Sequence, residues 1–228
     1  MRLLLLALLL TGASLVRAQE ALRPSTDAGI WAGMGLRAAA PAFMEDILGT
    51  DRYKRLGIAA ETGFRTGDEL ADGTQVFLDG SARYKLADWI SVGLEQRIAF
   101  RSGERNRHRT GLQVSVDRKF DRFELDYRVI HQHNYRPWGG QREVLRNRLA
   151  VTYNIPDFKA DPELAVEFFN WFGFRGIRYT GVRYRLATGI QVVKDQELGI
   201  AIIHDRDTQV AWPGQRWILS LSYTIDLR

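Results

Sequence analysis

The sharpest local motif is His131-x-His133. Two imidazoles at i and i+2 share one face of an extended segment, and with a third ligand such as His204 they would make a metal site. Both fall, however, on the apolar side of the local alternation, beside Tyr135, where histidines at an interface are the simpler reading. Hydrolysis of a lipid ester would need a Ser, a His and an orienting acid or amide. Ser102, His131 and Asn134 are the nearest such set, but no Gly-x-Ser-x-Gly elbow marks a nucleophile. No catalytic, metal-binding or cofactor-binding residue is therefore assigned, and no cofactor is expected.

The abundant chemistry is charge at every second position. Glu61, Arg83, Glu95, Arg97, Arg128, Arg146, Arg148, Glu167 and Arg183 alternate with apolar residues, as do Arg55, Arg65, Asp79, Arg109, Asp117, Glu124, Asp126, Arg185 and Asp226. Acids and arginines facing one enclosed space must pair across strands, because unpaired charge there is costly. Two uses follow. The pairs fill the interior and hold it shut, or the arginines favour small anions along a narrow wet path.

The elements that position these charges are strands. In Arg216–Arg228, Trp217, Leu219, Leu221, Tyr223, Ile225 and Leu227 share one face, opposite Arg216, Ile218, Ser220, Ser222, Thr224 and Asp226. This period-2 pattern runs for the length of a tilted membrane-crossing strand, about 9–11 residues. It recurs in some eleven segments between Asp27 and Arg228. Aromatic residues gather near segment ends (Tyr84/Trp89, Phe100, Phe120/Phe123, Tyr135/Trp138, Tyr153, Trp171/Phe172), as in interfacial girdles. Ala38–Leu48 breaks the alternation. It admits one short helix after Pro41, with Phe43/Ile47 and Met44/Leu48 at i, i+4, but a loop packed on an end of the domain is the expectation.

The pattern predicts an all-β fold, an antiparallel up-and-down transmembrane β-barrel of about 10–12 strands. Short turns at Ala87-Asp88, Asp121-Arg122 and Lys194–Gln196 alternate with longer connections, which places the C-terminus on the periplasmic side. An even count then requires ten or twelve strands. A soluble periplasmic β-barrel binding module is the alternative architecture, and a rim-sited lipid-modifying hydrolase the alternative activity.

Met1-Arg2, the apolar run Leu3–Leu10 and the small residues before Ala18 read as a secretory signal peptide of residues 1–18. Residues 19–228 form a single barrel domain, placed in the outer membrane of a Gram-negative cell. Outer-membrane lipid and the barrel-assembly machinery are the expected partners. The absence of Cys excludes disulfides, thiol catalysis and a lipid-modified N-terminal Cys. Arg outnumbers Lys 27 to 5 against 27 acids. The pI is about 9.6, yet the basic residues form no stripe, so no nucleic-acid binding is expected. The mean hydropathy of −0.25 averages two opposite faces.

Trp31, Leu145-Arg146-Asn147-Arg148-Leu149 and Arg178-Tyr179-Thr180-Gly181-Val182-Arg183-Tyr184 also resemble the bacterial proteins grouped as domain of unknown function family 2490. The resemblance covers most of residues 27 to 228. It implies an outer-membrane β-barrel and supplies no activity.

Overall fold

The computed structural model describes residues 25–66, 74–135, 142–173, 176–209 and 213–228. The expected signal segment and Trp138 lie outside them. The elements are β1 (Ser25–Ala39), α1 (Phe43–Leu48), α2 (Thr50–Tyr53), β2 (Leu56–Arg65), β3 (Gln75–Ala87), β4 (Ile90–Arg101), β5 (Arg107–Phe120), β6 (Phe123–Asn134), β7 (Glu143–Tyr153), β8 (Ala160–Gly173), β9 (Gly176–Val193), β10 (Gln196–Asp207) and β11 (Gly214–Asp226). No described helix is long and apolar enough to cross a membrane.

Each strand from β1 to β11 pairs antiparallel with the next, and the sheet closes on itself. The closing pair is parallel, in register from Ser25↔Gly214 to Arg37↔Asp226. The count is thus eleven, between the two even numbers that the turn pattern demanded. An odd number of strands in a closed meander obliges one parallel neighbour pair, and β1 supplies it. The segment before Ala40 is a full strand, paired on both edges. Inward-facing Gly33 allows the close approach: a Cβ there would lie 3.1 Å from the Thr62 carbonyl.

Ala38–Leu48 is not a plain loop. Phe43–Leu48 and Thr50–Tyr53 are two short helices separated by Gly49 at φ 77, whose N–H bonds the Glu45 carbonyl at 2.8 Å. The physical reason is local: helical bonds from Met44 to Pro41 and from Glu45 to Ala42 close a first turn around Pro41. Phe43 and Ile47 do not pack against the barrel end; they are 61% and 70% exposed. Tyr53 ties the segment down by donating to the Ala40 carbonyl at 2.7 Å. Arg55, expected to face inward, precedes β2 and donates instead to the Leu86 carbonyl at the rim.

The two faces of the sheet differ sharply. Met34, Leu78, Leu112, Leu164, Leu186, Ile202 and Trp217 project outward and are exposed. Phe77, Ile130, Ile203 and Ile218 project inward and are buried. Ile203 and Ile218 join Ala187, Ala201 and Trp31 in an apolar cluster on the inner wall of β1 and β9–β11. Apart from these and Phe169, the side chains that line the middle of the lumen are mostly polar or small, and that is where the site sits.

Candidate functional site in the barrel lumen

Three ion-pair networks cross the inner wall, each holding two arginines and two carboxylates. In the first, Arg97 on β4 meets Asp79 on β3 at 2.6 Å, and Arg109 on β5 reaches Glu95 at 3.1 Å. Gln132 on β6 also donates to Glu95 at 3.1 Å. The Glu95 side chain lies across Gly111, where a Cβ would come within 2.5 Å of it. In the second, Glu167 on β8 takes Arg146 at 2.7 Å and Arg183 at 3.5 Å, and Arg183 takes Asp205 on β10 at 2.6 Å. In the third, Arg148 bridges Asp126 at 2.8 Å and Glu163 at 2.7 Å, and Arg185 joins Glu163 at 2.8 Å. Each network is neutral, so each answers its own desolvation.

A collar of arginines and aromatic rings links the first two networks. Phe77 lies under Arg97 at 4.3 Å and Arg65 at 4.9 Å. Trp31 lies under Arg65 at 4.3 Å and Arg183 at 4.9 Å. Phe169 lies under Arg183 at 4.9 Å and Arg146 at 5.2 Å. The sequence Arg97–Phe77–Arg65–Trp31–Arg183–Phe169–Arg146 is therefore one alternating chain of cations and π faces. Gly63 makes room for it, since a Cβ there would stand 3.0 Å from the Phe77 ring and 2.5 Å from the Ala32 carbonyl.

A cavity of about 610 Å³ lies along the same wall. Thirteen of the eighteen charged residues named in the sequence line it, among them Glu61, Arg83, Glu95, Arg97, Arg128, Arg146, Arg148, Glu167 and Arg183. The cavity shares Arg37, Arg185, Ser222 and Thr224 with a wider vestibule of about 920 Å³ at the short-turn end. Six of its ten arginines belong to the networks; Arg37, Arg65, Arg83 and Arg128 do not. Among the described residues none of those four forms an ion pair. Glu61, also outside the networks, offsets one of them, so the wall carries three positive charges without a carboxylate.

The residues missed in the sequence are the inward aromatics Phe77 and Phe169. Their parity was available: Phe77 shares its face with Gln75 and Asp79, and Phe169 shares its face with Glu167. Their apolar character masked the position.

The other sequence candidates lie elsewhere. His131 and His133 face outward near the rim and converge on Glu143 of β7. His133 Nδ1 is 2.5 Å from one carboxylate oxygen, and His131 Nε2 is 3.1 Å from the other. His204 is apart from them, stacked on Trp217 with centroids 4.5 Å apart. Among the described residues no group of three His, Cys, Asp or Glu is arranged to hold a metal ion. Ser102, His131 and Asn134 are not brought together: Ser102 sits in the β4–β5 turn, and Asn134 occupies the register opposite to that of His131.

Fold and lumen together define a closed, mostly antiparallel β-barrel with an apolar exterior and an arginine-rich interior. Residues 43–211 match the family described as "Protein of unknown function (DUF2490)", and the chain belongs to that family. The match includes the segments Leu145–Leu149 and Arg178–Tyr184, while Trp31 lies before it. No curated protein and no solved structure matches the chain.

Proposed function

We propose that this protein is exported to the outer membrane of a Gram-negative cell, spans the bilayer as a barrel, and encloses a narrow interior that favours anions. The observation that carries the reading is the reversed polarity of the sheet. Its outward side chains are the exposed Leu, Ile, Val and Phe residues, and its inward ones are the paired charges. In water, so extensive an apolar exterior is a liability. In a bilayer it meets hydrocarbon, and strand closure satisfies the backbone. Exposed Trp89, Phe120 and Phe123 at the short-turn end, and Phe100 and Tyr135 at the other, stand where aromatic girdles meet headgroups. Lipid is accordingly the partner of the outer face, and the assembly machinery that of the strands during insertion.

Eleven strands enclose less space than the 16–18 of an open porin, and the collar narrows it further. Passage is therefore restricted to small solutes, with the three uncompensated arginines setting the preference for anions. Membrane fractionation with heat-modifiable gel migration tests the location, and planar-bilayer recording tests the passage. The expected results are recovery with the outer membrane and small anion-selective steps. Release of all the protein with the soluble periplasm would overturn the location. A silent bilayer would leave the networks as a brace that holds the barrel shut, which is the second reading that their exact charge balance favours.

A further inference from the structure

We propose that the lumen holds a binding site for a polyvalent tetrahedral oxyanion, a phosphate or the phosphoryl group of a small solute, reached through the vestibule at the short-turn end. The inference rests on the anion-favouring interior proposed above and names its ligand. Three observations converge on it. The first is charge: Arg65, Arg83 and Arg128 face the cavity and form no ion pair with any described residue, and of the lining carboxylates only Glu61 lies outside the networks.

The second is hydrogen bonding. The Nε–H groups of Arg109, Arg128 and Arg183 are buried and meet no acceptor among the described residues. Buried donors without acceptors are rare, because leaving one unsatisfied forfeits its hydration with nothing in return. All three belong to arginines that line one cavity, so its wall holds more guanidinium donors than the carboxylates there take up. Guanidinium forks match the oxygens of a phosphate, and a polyvalent ion answers a surplus of several positive charges where chloride cannot.

The third is access and room. A volume of about 610 Å³ holds on the order of twenty waters, so the ion enters with part of its hydration intact. The vestibule at the short-turn mouth adjoins the cavity, and Arg37 and Arg185 stand in both linings. On the far side, the collar places Arg65 between two rings rather than beside a carboxylate, which keeps its charge uncancelled.

The test is isothermal titration of the full-length protein, folded in detergent micelles, with inorganic phosphate, glycerol phosphate and chloride at matched ionic strength. Saturable binding of a phosphate compound and none of chloride is expected, with Arg128→Gln and Arg83→Gln each weakening it at least tenfold and Arg105→Gln, in the β4–β5 turn at the opposite end, leaving it unchanged. Binding of glycerol phosphate without inorganic phosphate assigns the site to a phosphorylated solute; the reverse assigns it to the free ion. Absence of saturable binding, or equal affinity for chloride, overturns the site. If a lumen variant does not fold, the wild-type contrast between phosphate and chloride still decides, and quenching of the Trp31 ring beneath Arg65 provides a second readout. Bilayer recording keeps the two proposals apart. Phosphate binding to a non-conducting barrel retains the site and discards the passage, whereas chloride currents indifferent to millimolar phosphate discard the site alone.

Discussion

Glu167 is the residue on which most of the interior depends. It is 4% exposed and accepts from both Arg146 and Arg183, so it joins β7, β8 and β9 and neutralises the collar at two points. Removing one member of a buried pair leaves the other charge unanswered, at a cost of about 3–5 kcal/mol. Glu167→Gln should therefore lower the unfolding free energy in liposomes, measured by urea titration, by that amount. The exposed pair Lys119–Glu124, with 79% and 44% of its side chains accessible, should lose less than about 1 kcal/mol on Glu124→Gln. Equal losses at the two sites would mean that the lumen is as wet as the surface. At this scale the sequence was a poor guide to who touches whom. Alternation places Arg146 and Glu167 on one face, but only the register Arg148↔Glu167 and the slant of the side chains put Arg146 on that carboxylate. Phe77 and Phe169 were hidden because an apolar residue on the charged face reads as an irregularity, when it is the ring on which a guanidinium rests.

Among the elements, β1 decides the architecture. Turn lengths gave the direction of every strand, and some eleven alternating segments already oblige the first strand to run alongside the last in the same sense; the expectation of an even count set that parallel seam aside. The seam can be tested because the chain has no cysteine of its own. Ala32 and Leu221 are register partners across it, and both project outward. The double variant Ala32→Cys/Leu221→Cys should form an intramolecular disulfide on oxidation, seen as a shift in gel mobility reversed by reductant. A barrel closed by β2 against β11 would leave these thiols free. Helix α1 was legible in its i, i+4 spacing but lost to a loop in the weighing, because six residues offer little periodicity, and α2 left no such signal. Its apolar pair Phe43 and Ile47 stays exposed at the short-turn end.

For the whole molecule, the apolar exterior and charged interior follow from one rule repeated eleven times, which is why the fold was readable from alternation alone. What the pattern left open was the balance of the interior. Three neutral networks make it stable, and three arginines beyond them make it cationic; that distinction depends on pairings between residues far apart in the chain, such as Arg97 with Asp79 and Arg183 with Asp205. The membership of this chain in a family of unknown function gives the account its scope and leaves its chemistry to the lumen. The central claim is that outward positions face hydrocarbon and inward positions face a polar enclosure. Single cysteines placed in turn at Leu219, Ser220, Leu221 and Ser222, each carrying an environment-sensitive fluorophore in reconstituted vesicles, test it most directly. The account predicts strict alternation: labels at 219 and 221 are quenched by lipid-borne quenchers, and those at 220 and 222 are not. Four labels with the same aqueous signature and no response to the lipid quencher would contradict it.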